Sequence, residues 1–387
     1  MHATPPSDHD DIIYPGTLPF VLAHLACFGA IWTGVPAGAV ALAAGLYVVR
    51  MIAVTAGYHR YFSHHSFKTS RVGQFVLALV AQSAAQRGVL WWAAKHRHHH
   101  RHSDTEQDVH SPRHRGFWYA HVGWIFHPQH HDTDYELVAD LARYPELRWL
   151  DRHQYAPAFA LGAGVWLAAG WPGLVVGFFW STVALYHGSF MINSLAHVHG
   201  TRRYVTGDDS RNNFWLALFT MGEGWHNNHH AYQRSTRQGF RWWEVDVTFY
   251  VLTILSWVRV VWELGTPPPD LVRNERPLGR AMIEKVAFQL ATSFPAEQLA
   301  HEIRATLSAS PHFQELAARV REARGQMADW ASHVHLPHLP SLDELRARAE
   351  AMYARTPSMD EIVARARELL TERVSLCLLR LEGPAPA

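Results

Sequence analysis

The chain is poor in cysteine, poor in charge and without charge bias. Two cysteines among 387 residues exclude a disulfide framework and any four-cysteine zinc or iron-sulfur site. Cys27, in an apolar run, and Cys377, near the C-terminus, read as unpaired thiols. Lys and Arg number 35 against 34 Asp and Glu, and charged residues make up 18%. That balance excludes both a disordered chain and a nucleic-acid binder with a large basic excess. Asp8, Asp10 and Asp11 stand where a signal peptide would have a basic start, so the first apolar segment is expected to be retained. No repeat of about 20 to 50 residues is present.

Charge is also missing locally. Ile12 to Val49 is 38 residues without Asp, Glu, Lys or Arg, and His153 to Thr201 is 49. A membrane helix takes about 20 residues, so each stretch suits two spans back to back. Gly34-Val35-Pro36 and Trp171-Pro172-Gly173 break the stretches near their middles. The expected architecture is all-α and integral to a membrane, with spans at about 18–34, 36–57, 155–171 and 173–195. The hairpin turns carry no Lys or Arg, whereas Arg60, Lys68, Arg143, Arg148, Arg202 and Arg203 flank the other ends. The positive-inside rule then puts both termini and the cap, residues 58–154 and 196–269, in the cytoplasm. Arg50 is expected either to lie near a cytoplasmic helix end and snorkel or to stand on a helix that runs on past the bilayer. Val72 to Ala94 and Val247 to Val258 read as interfacial or cap-packing helices. A short segment, 1–17, precedes the first span. After Thr266-Pro-Pro-Pro269, residues 270–387 read as an amphipathic helical tail, with capping boxes at Ser341-x-x-Glu344 and Ser358-x-x-Glu361.

What the chain has in excess is histidine: 29 in all, 21 of them between His59 and His230. Neutral imidazole is the commonest metal-ligand side chain, and so dense a group needs a cation to organise it. His96, His99 and His100 share one face of a helix, as do His226, His229 and His230, and Asn193 and His197 are four apart. His59 and His64 are five apart, roughly 140° around an α-helix, which predicts a grip from a helix end and the turn after it. Nine histidines and one asparagine are enough for two metals. His65, His98, His102, His114, His130 and His131 fall outside this periodicity and are expected to support the ligands or lie on the surface.

These clusters stand in motifs. They are Thr55-Ala-Gly-Tyr-His59-Arg-Tyr-Phe-Ser-His64, Trp92-Ala-Ala-Lys-His96-Arg-His-His99-His100 and Gly222-Glu-Gly-Trp-His226-Asn-Asn-His229-His230, with Arg115-Gly-Phe117 and His121-Val-Gly-Trp124 between the second and third. In this order and spacing the sequence resembles the membrane fatty acid desaturases of the stearoyl-CoA (delta-9 acyl-CoA) type, from about Leu18 to Leu264. The resemblance implies four membrane helices under a cytoplasmic cap holding two irons. His59, His64, His96, His100 and His229 would bind one. His99, His197, His226 and His230 would bind the other, with Asn193 reaching it through a water. It further implies an oxidoreductase of a multi-pass bacterial inner-membrane protein, using O2 and two external electrons to place a cis double bond at delta-9 in a saturated acyl-CoA. Gln86 and Trp92 match residues at the bend of the acyl tunnel and Tyr47 one near its closed end. Met51, larger than the alanine common there, either shortens the tunnel or faces lipid. Arg87, Ala94 and Lys95 depart from the family's acyl-CoA residues.

Two rival classes remain at this stage: a membrane di-iron hydroxylase of alkyl or fatty acyl chains, and a non-catalytic membrane metal-binding protein. The first usually spaces its histidines differently. The second would need polar or ionisable residues lining a path through the bilayer, and the spans contain few, such as His24, Arg50 and His187. No His-Pro-Gly-Gly of a fused cytochrome b5 is present, and Gly162-x-Gly164 lies in an apolar run without a strand before it. Electrons are therefore expected from a separate carrier of ferredoxin or cytochrome b5 type.

Overall fold

Glycine and proline divide the first apolar stretch where their chemistry predicts. In the computed structural model, helices Leu18–Cys27 and Ala30–Thr33 stop at Gly34, whose φ of 69° suits glycine. Pro36 then starts helix Ala37–Ala53 from an extended conformation. In the second stretch Gly170, with φ 61° and ψ −160°, interrupts helix Ala156–Pro172. A Cβ on Gly162 would stand 3.4 Å from the Phe178 ring. Sixteen residues of continuous helix would separate those positions by about 24 Å, so the chain doubles back here as an antiparallel hairpin. The return arm passes through a π-helix, Gly173–Trp180, into helix Ser181–Asn193.

The described residues are 17–308 and 338–381. Most of the expected segment 1–17 and the middle of the expected tail lie outside them. Two segments are long and apolar enough to cross a membrane, Ala37–Ser63 and Ala156–His197. Leu18–Thr33 is apolar but shorter, because Gly34 ends it before about 20 residues are reached. Ile31, Trp32, Phe159 and Leu167 point outward and are mostly exposed, an apolar surface that water penalises and hydrocarbon does not.

Arg50 corrects the snorkelling expectation. It is 1% exposed and donates to the Ser83 carbonyl at 3.3 Å, the Phe178 carbonyl at 3.4 Å and the hydroxyls of Thr182, at 2.8 Å, and Ser181, at 2.5 Å. Two helices and a loop share one guanidinium, so partners inside the bundle replace water at its edge.

The expected apolar run Val72 to Ala94 is broken into helices Arg71–Gln82 and Val89–His102. Gln82 Oε1 accepts from Val89 N at 3.1 Å, and Asp151 Oδ1 accepts from Leu90 N and Trp91 N at 3.1 and 3.0 Å. These bonds satisfy the free N–H groups of the second helix and aim it. A side chain at Gly88 would collide with Asp151 Oδ1, 2.0 Å from its Cβ.

Contacts divide the chain into two units, Met1–Val272 and Arg273–Ala387. In the second unit, helices Arg280–Thr292, Ala296–Ser308, Leu342–Met352 and Met359–Leu381 enclose Leu290, Ile303, Leu345, Ile362 and Leu370. The Ser341–Glu344 capping box is formed. The Ser358 hydroxyl accepts from Leu278 N at 2.9 Å.

Candidate metal centre

The five-residue step between His59 and His64 is solved by an element the sequence reading did not include. Val54–Ser63 is π-helical. Hydrogen bonds from i to i+5 stack residues five apart, and the two rings lie 4.9 Å apart. His59 stands in the last turn and a half of this helix and His64 in the turn that follows it, as the five-residue step predicts; what the spacing did not show is that the helix is π-helical. Arg97 ties this segment to helix Val89–His102 by donating to the carbonyls of Phe62 and Ser63 at 2.8 and 3.1 Å.

His59, His64, His96, His100 and His229 come together in one nest. The Nε2 atoms of His64 and His96 are 2.8 Å apart, those of His96 and His100 2.9 Å, those of His100 and His229 2.9 Å, and those of His229 and His59 3.0 Å. Nitrogens bound about 2.1 Å from one ion at right angles would stand ~3.0 Å apart. Each neutral ring has one N–H. The Nδ1 of His59 meets Glu223 Oε2, which leaves its Nε2 as a lone pair. Five imidazole nitrogens converge at the spacing that ligands of one ion would have, so the residues present fit a metal.

His99, His197, His226 and His230 form a second nest, with the Nε2 atoms of His197 and His226 3.1 Å apart. Here the outer nitrogens meet carboxylates. His99 Nδ1 is 2.9 Å from Asp108, His197 Nδ1 2.8 Å from Asp104 and His230 Nδ1 2.8 Å from Asp208. Such partners fix the tautomer and turn Nε2 inward. The sequence reading assigned no role to Asp104, Asp108, Asp208 or Glu223. His65 instead bonds Asp140, His98 the Gln107 carbonyl and His114 the Asp104 carbonyl. The available signal was short acidic residues among box histidines: Asp104 and Asp108 follow the second box, and Glu223 lies inside the third.

The third box sits on a six-residue helix, His226–Ala231, too short to be stable by itself. Its asparagines hold it. Asn227 Oδ1 accepts from the backbone N–H groups of Arg203 and Tyr204 at 2.7 and 2.8 Å. Asn228 donates to Gln238 O and Glu244 Oε2, both at 2.9 Å, and accepts from Asn212 at 2.8 Å. Arg60, 1% exposed, pairs with Glu223 at 3.0 Å and Asp246 at 2.9 Å. Gly222, at φ 124°, leaves room for that pair, since its Cβ would stand 2.4 Å from Asp246 Oδ1.

Burial, reinforced by neighbouring imidazoles, holds His64, His96, His100, His226 and His229 well below the ordinary histidine value. They are neutral at pH 7, as metal binding requires. Burial alone would raise the carboxyls of Asp104, Asp108 and Asp208. Their imidazole partners outweigh it and hold them below the usual carboxylate range.

A partly open pocket adjoins the first nest, and His96 belongs to both. Gln86, Trp92, Tyr186, Phe190 and Asn193 line it. Gln86 donates to Ser189 at 2.8 Å, and Trp92 stacks between Tyr58 and His96. Tyr47 and Met51, expected at the tunnel end, are not among its lining residues. They pack at Gly188, where an added Cβ would meet Met51 Cε at 2.8 Å and Tyr47 Oη at 3.1 Å. Tyr47 spends its hydroxyl on the Phe219 carbonyl at 2.7 Å.

The sequence profile of the fatty acid desaturase family matches residues 30–252. An sn-1 stearoyl-lipid 9-desaturase of Anabaena variabilis is 37% identical over 256 residues, 65% of this chain and 93% of that protein. An acyl-CoA 5-desaturase of Anemone leveillei is 36% identical over 248 residues, 63% of this chain and 77% of its own. A chloroplastic palmitoyl-monogalactosyldiacylglycerol delta-7 desaturase of Arabidopsis thaliana is 35% identical over 256 residues, 64% and 66% of the two chains. The two histidine nests and the apolar cavity beside them are therefore read within one lineage: the chain belongs to the fatty acid desaturase family, whose members are oxidoreductases acting on fatty acyl chains.

Proposed function

We propose that this protein introduces a cis double bond at delta-9 into a saturated acyl chain carried on CoA. It would use O2, two irons and two electrons from a separate ferredoxin or cytochrome b5 type carrier. The observation that carries the reading is His96, which faces both a five-nitrogen nest and an apolar cavity. His59, His64, His96, His100 and His229 would hold one iron, and His99, His197, His226 and His230 the other, with Asn193 acting through a water. When bound, that pair supplies the O2 activation needed to break an unactivated C–H bond.

The chain's own part is positional. Trp92, locked by its stacking, and Gln86, tied to Ser189, would fix the bend of the acyl chain. Phe190 and Tyr186 would cover it from water. Tyr47 and Met51, packed behind the wall at Gly188, would limit its depth. Arg87 and Lys95 line the same cavity and supply positive charge for a phosphate-bearing carrier. Four membrane helices in two hairpins, with both termini and the cap in the cytoplasm of a bacterial inner membrane, would put the nests on the side of the electron carrier.

The test is expression in a host supplied with saturated acyl chains, followed by mass spectrometry of double-bond adducts. A delta-9 alkene released from acyl-CoA is expected. A hydroxy-acid product would sink the reading, and another bond position would sink its delta-9 part.

A further inference from the structure

Three histidines outside both nests join into a chain. His24 Nδ1 is 2.8 Å from the Phe20 carbonyl, and its Nε2 is 3.1 Å from His187 Nε2. His187 Nδ1 is 3.0 Å from His121 Nε2, and His121 Nδ1 is 3.0 Å from Ser194 Oγ. Ser194 Oγ in turn lies 2.9 Å from the Phe190 carbonyl. His187 spends a different nitrogen on each neighbour. Rings arranged this way do not converge on a point, as they do in the nests, but hand hydrogen bonds along a line.

Proton counting distinguishes this line from ordinary packing. Both ends are carbonyl oxygens, which only accept. Five hydrogen bonds therefore need five protons, and three neutral imidazoles with one hydroxyl supply four. The neutral chain always has one unfilled bond. A proton entering at one end fills it, and a proton leaving at the other end reopens it. Among the described residues no carboxylate bonds to the three rings; Phe20, Phe117, Tyr186 and Phe190 surround them, so no fixed charge would trap a proton midway.

The line runs from the first helix to the wall of the cavity. His24 stands on helix Leu18–Cys27, about 9 Å from its start, and is half-buried. Ser194 is fully buried, between the cavity-lining Asn193 and the turn Leu195–His197. His197 N donates to its carbonyl at 3.2 Å.

We propose that His24, His187, His121 and Ser194 form a proton relay feeding the desaturation site, an inference that rests on the function proposed above. The reaction requires one: R–CH2–CH2–R′ + O2 + 2 e− + 2 H+ gives R–CH=CH–R′ + 2 H2O. The electrons come from the one-electron carrier, the two protons from bulk water through the chain.

The test compares wild type with His187→Phe, which keeps an aromatic volume without nitrogens, in the full-length iron-loaded protein. Turnover is expected to fall about 10²-fold at unchanged iron content, with a larger solvent deuterium isotope effect; His187→Gly is expected to recover with added imidazole. Turnover within about twofold of wild type, or a loss with no change in isotope effect and no imidazole recovery, overturns the relay. Should His187→Phe fail to bind iron, His24→Gln at the far end is read by the same criteria. A readout free of turnover is 15N NMR of histidine-labelled, metal-free wild type. Couplings across the two N–H···N bonds of His187 support the chain, and their absence overturns it. A wild type that binds iron but forms no alkene sinks the proposed function, whatever the couplings show.

Discussion

In the five-histidine nest, His59 is the ring backed by a carboxylate, and Arg60 neutralises that Glu223. In the four-histidine nest His99, His197 and His230 each have an aspartate, and among the described residues no Arg or Lys pairs with Asp104, Asp108 or Asp208. One nest is thus close to neutral and held by ring-to-ring packing. The other sets buried aspartates behind its imidazoles, and against the pull of burial Asp104 raises His197 to about 9, so a proton balances that carboxylate without metal and a bound cation would take its place. The difference teaches that ligand count is a poor guide to grip: the nest with fewer rings has the better-oriented and more electron-rich ones.

The largest test removes a ring. His96→Ala or His229→Ala in the first nest, and His197→Ala in the second, are expected to abolish desaturation and lower bound iron. Near wild-type turnover in any of them would remove that residue from the ligand set.

Next in size is the scaffold beneath the neutral nest. Arg60→Ala strands Glu223 and Asp246 and is expected to cost about 3–5 kcal/mol of folding stability, measured by denaturant unfolding in detergent. A loss under ~1 kcal/mol would mean that the pairs are not coupled to the fold.

Orientation comes third. Asp104→Asn or Asp208→Asn is expected to weaken one iron about 10–100-fold, so that titration with a chelator removes it first. In the unaltered protein the order reverses, with the neutral nest emptying first. Simultaneous loss of both irons in the wild type would refute the asymmetry.

A further test is on pH. His64, His96 and His100 have folded values below the unfolded ~6.5, so the unfolded chain binds more protons as pH falls past that point. Metal-free protein is therefore most stable above about pH 6.5 and should lose about 1.4 kcal/mol per pH unit for each net proton below it. The aspartates are depressed carboxyls whose contribution is present above ~3.9 and lost only as pH falls below it. Against the pull of burial, Asp104 raises its partner His197 to about 9, so Asp104→Asn should steepen the loss of stability between pH 7 and 5, as urea unfolding at the two pH values would read.

Local pattern was legible wherever the needed geometry was local. His96, His99 and His100 share a helix face because they are three and four apart, and Gly34-Val35-Pro36 ends a helix because of its own backbone chemistry. The π-helix at Val54–Ser63 was not, since nothing in its side chains requires an i to i+5 bond until the ring of His64 must meet that of His96. Arg50 looked like a snorkelling end residue because its carbonyl and hydroxyl partners, Ser83, Phe178, Ser181 and Thr182, come from other segments.

The sequence by itself determined which residues are apolar enough for lipid and which histidines share a face, because both depend on spacing within one segment. Tertiary structure decided what stands behind each histidine. Asp104 reaches His197 across 93 residues and Glu223 reaches His59 across 164. No local periodicity encodes such a contact, because it forms only when separate segments have packed into one cap.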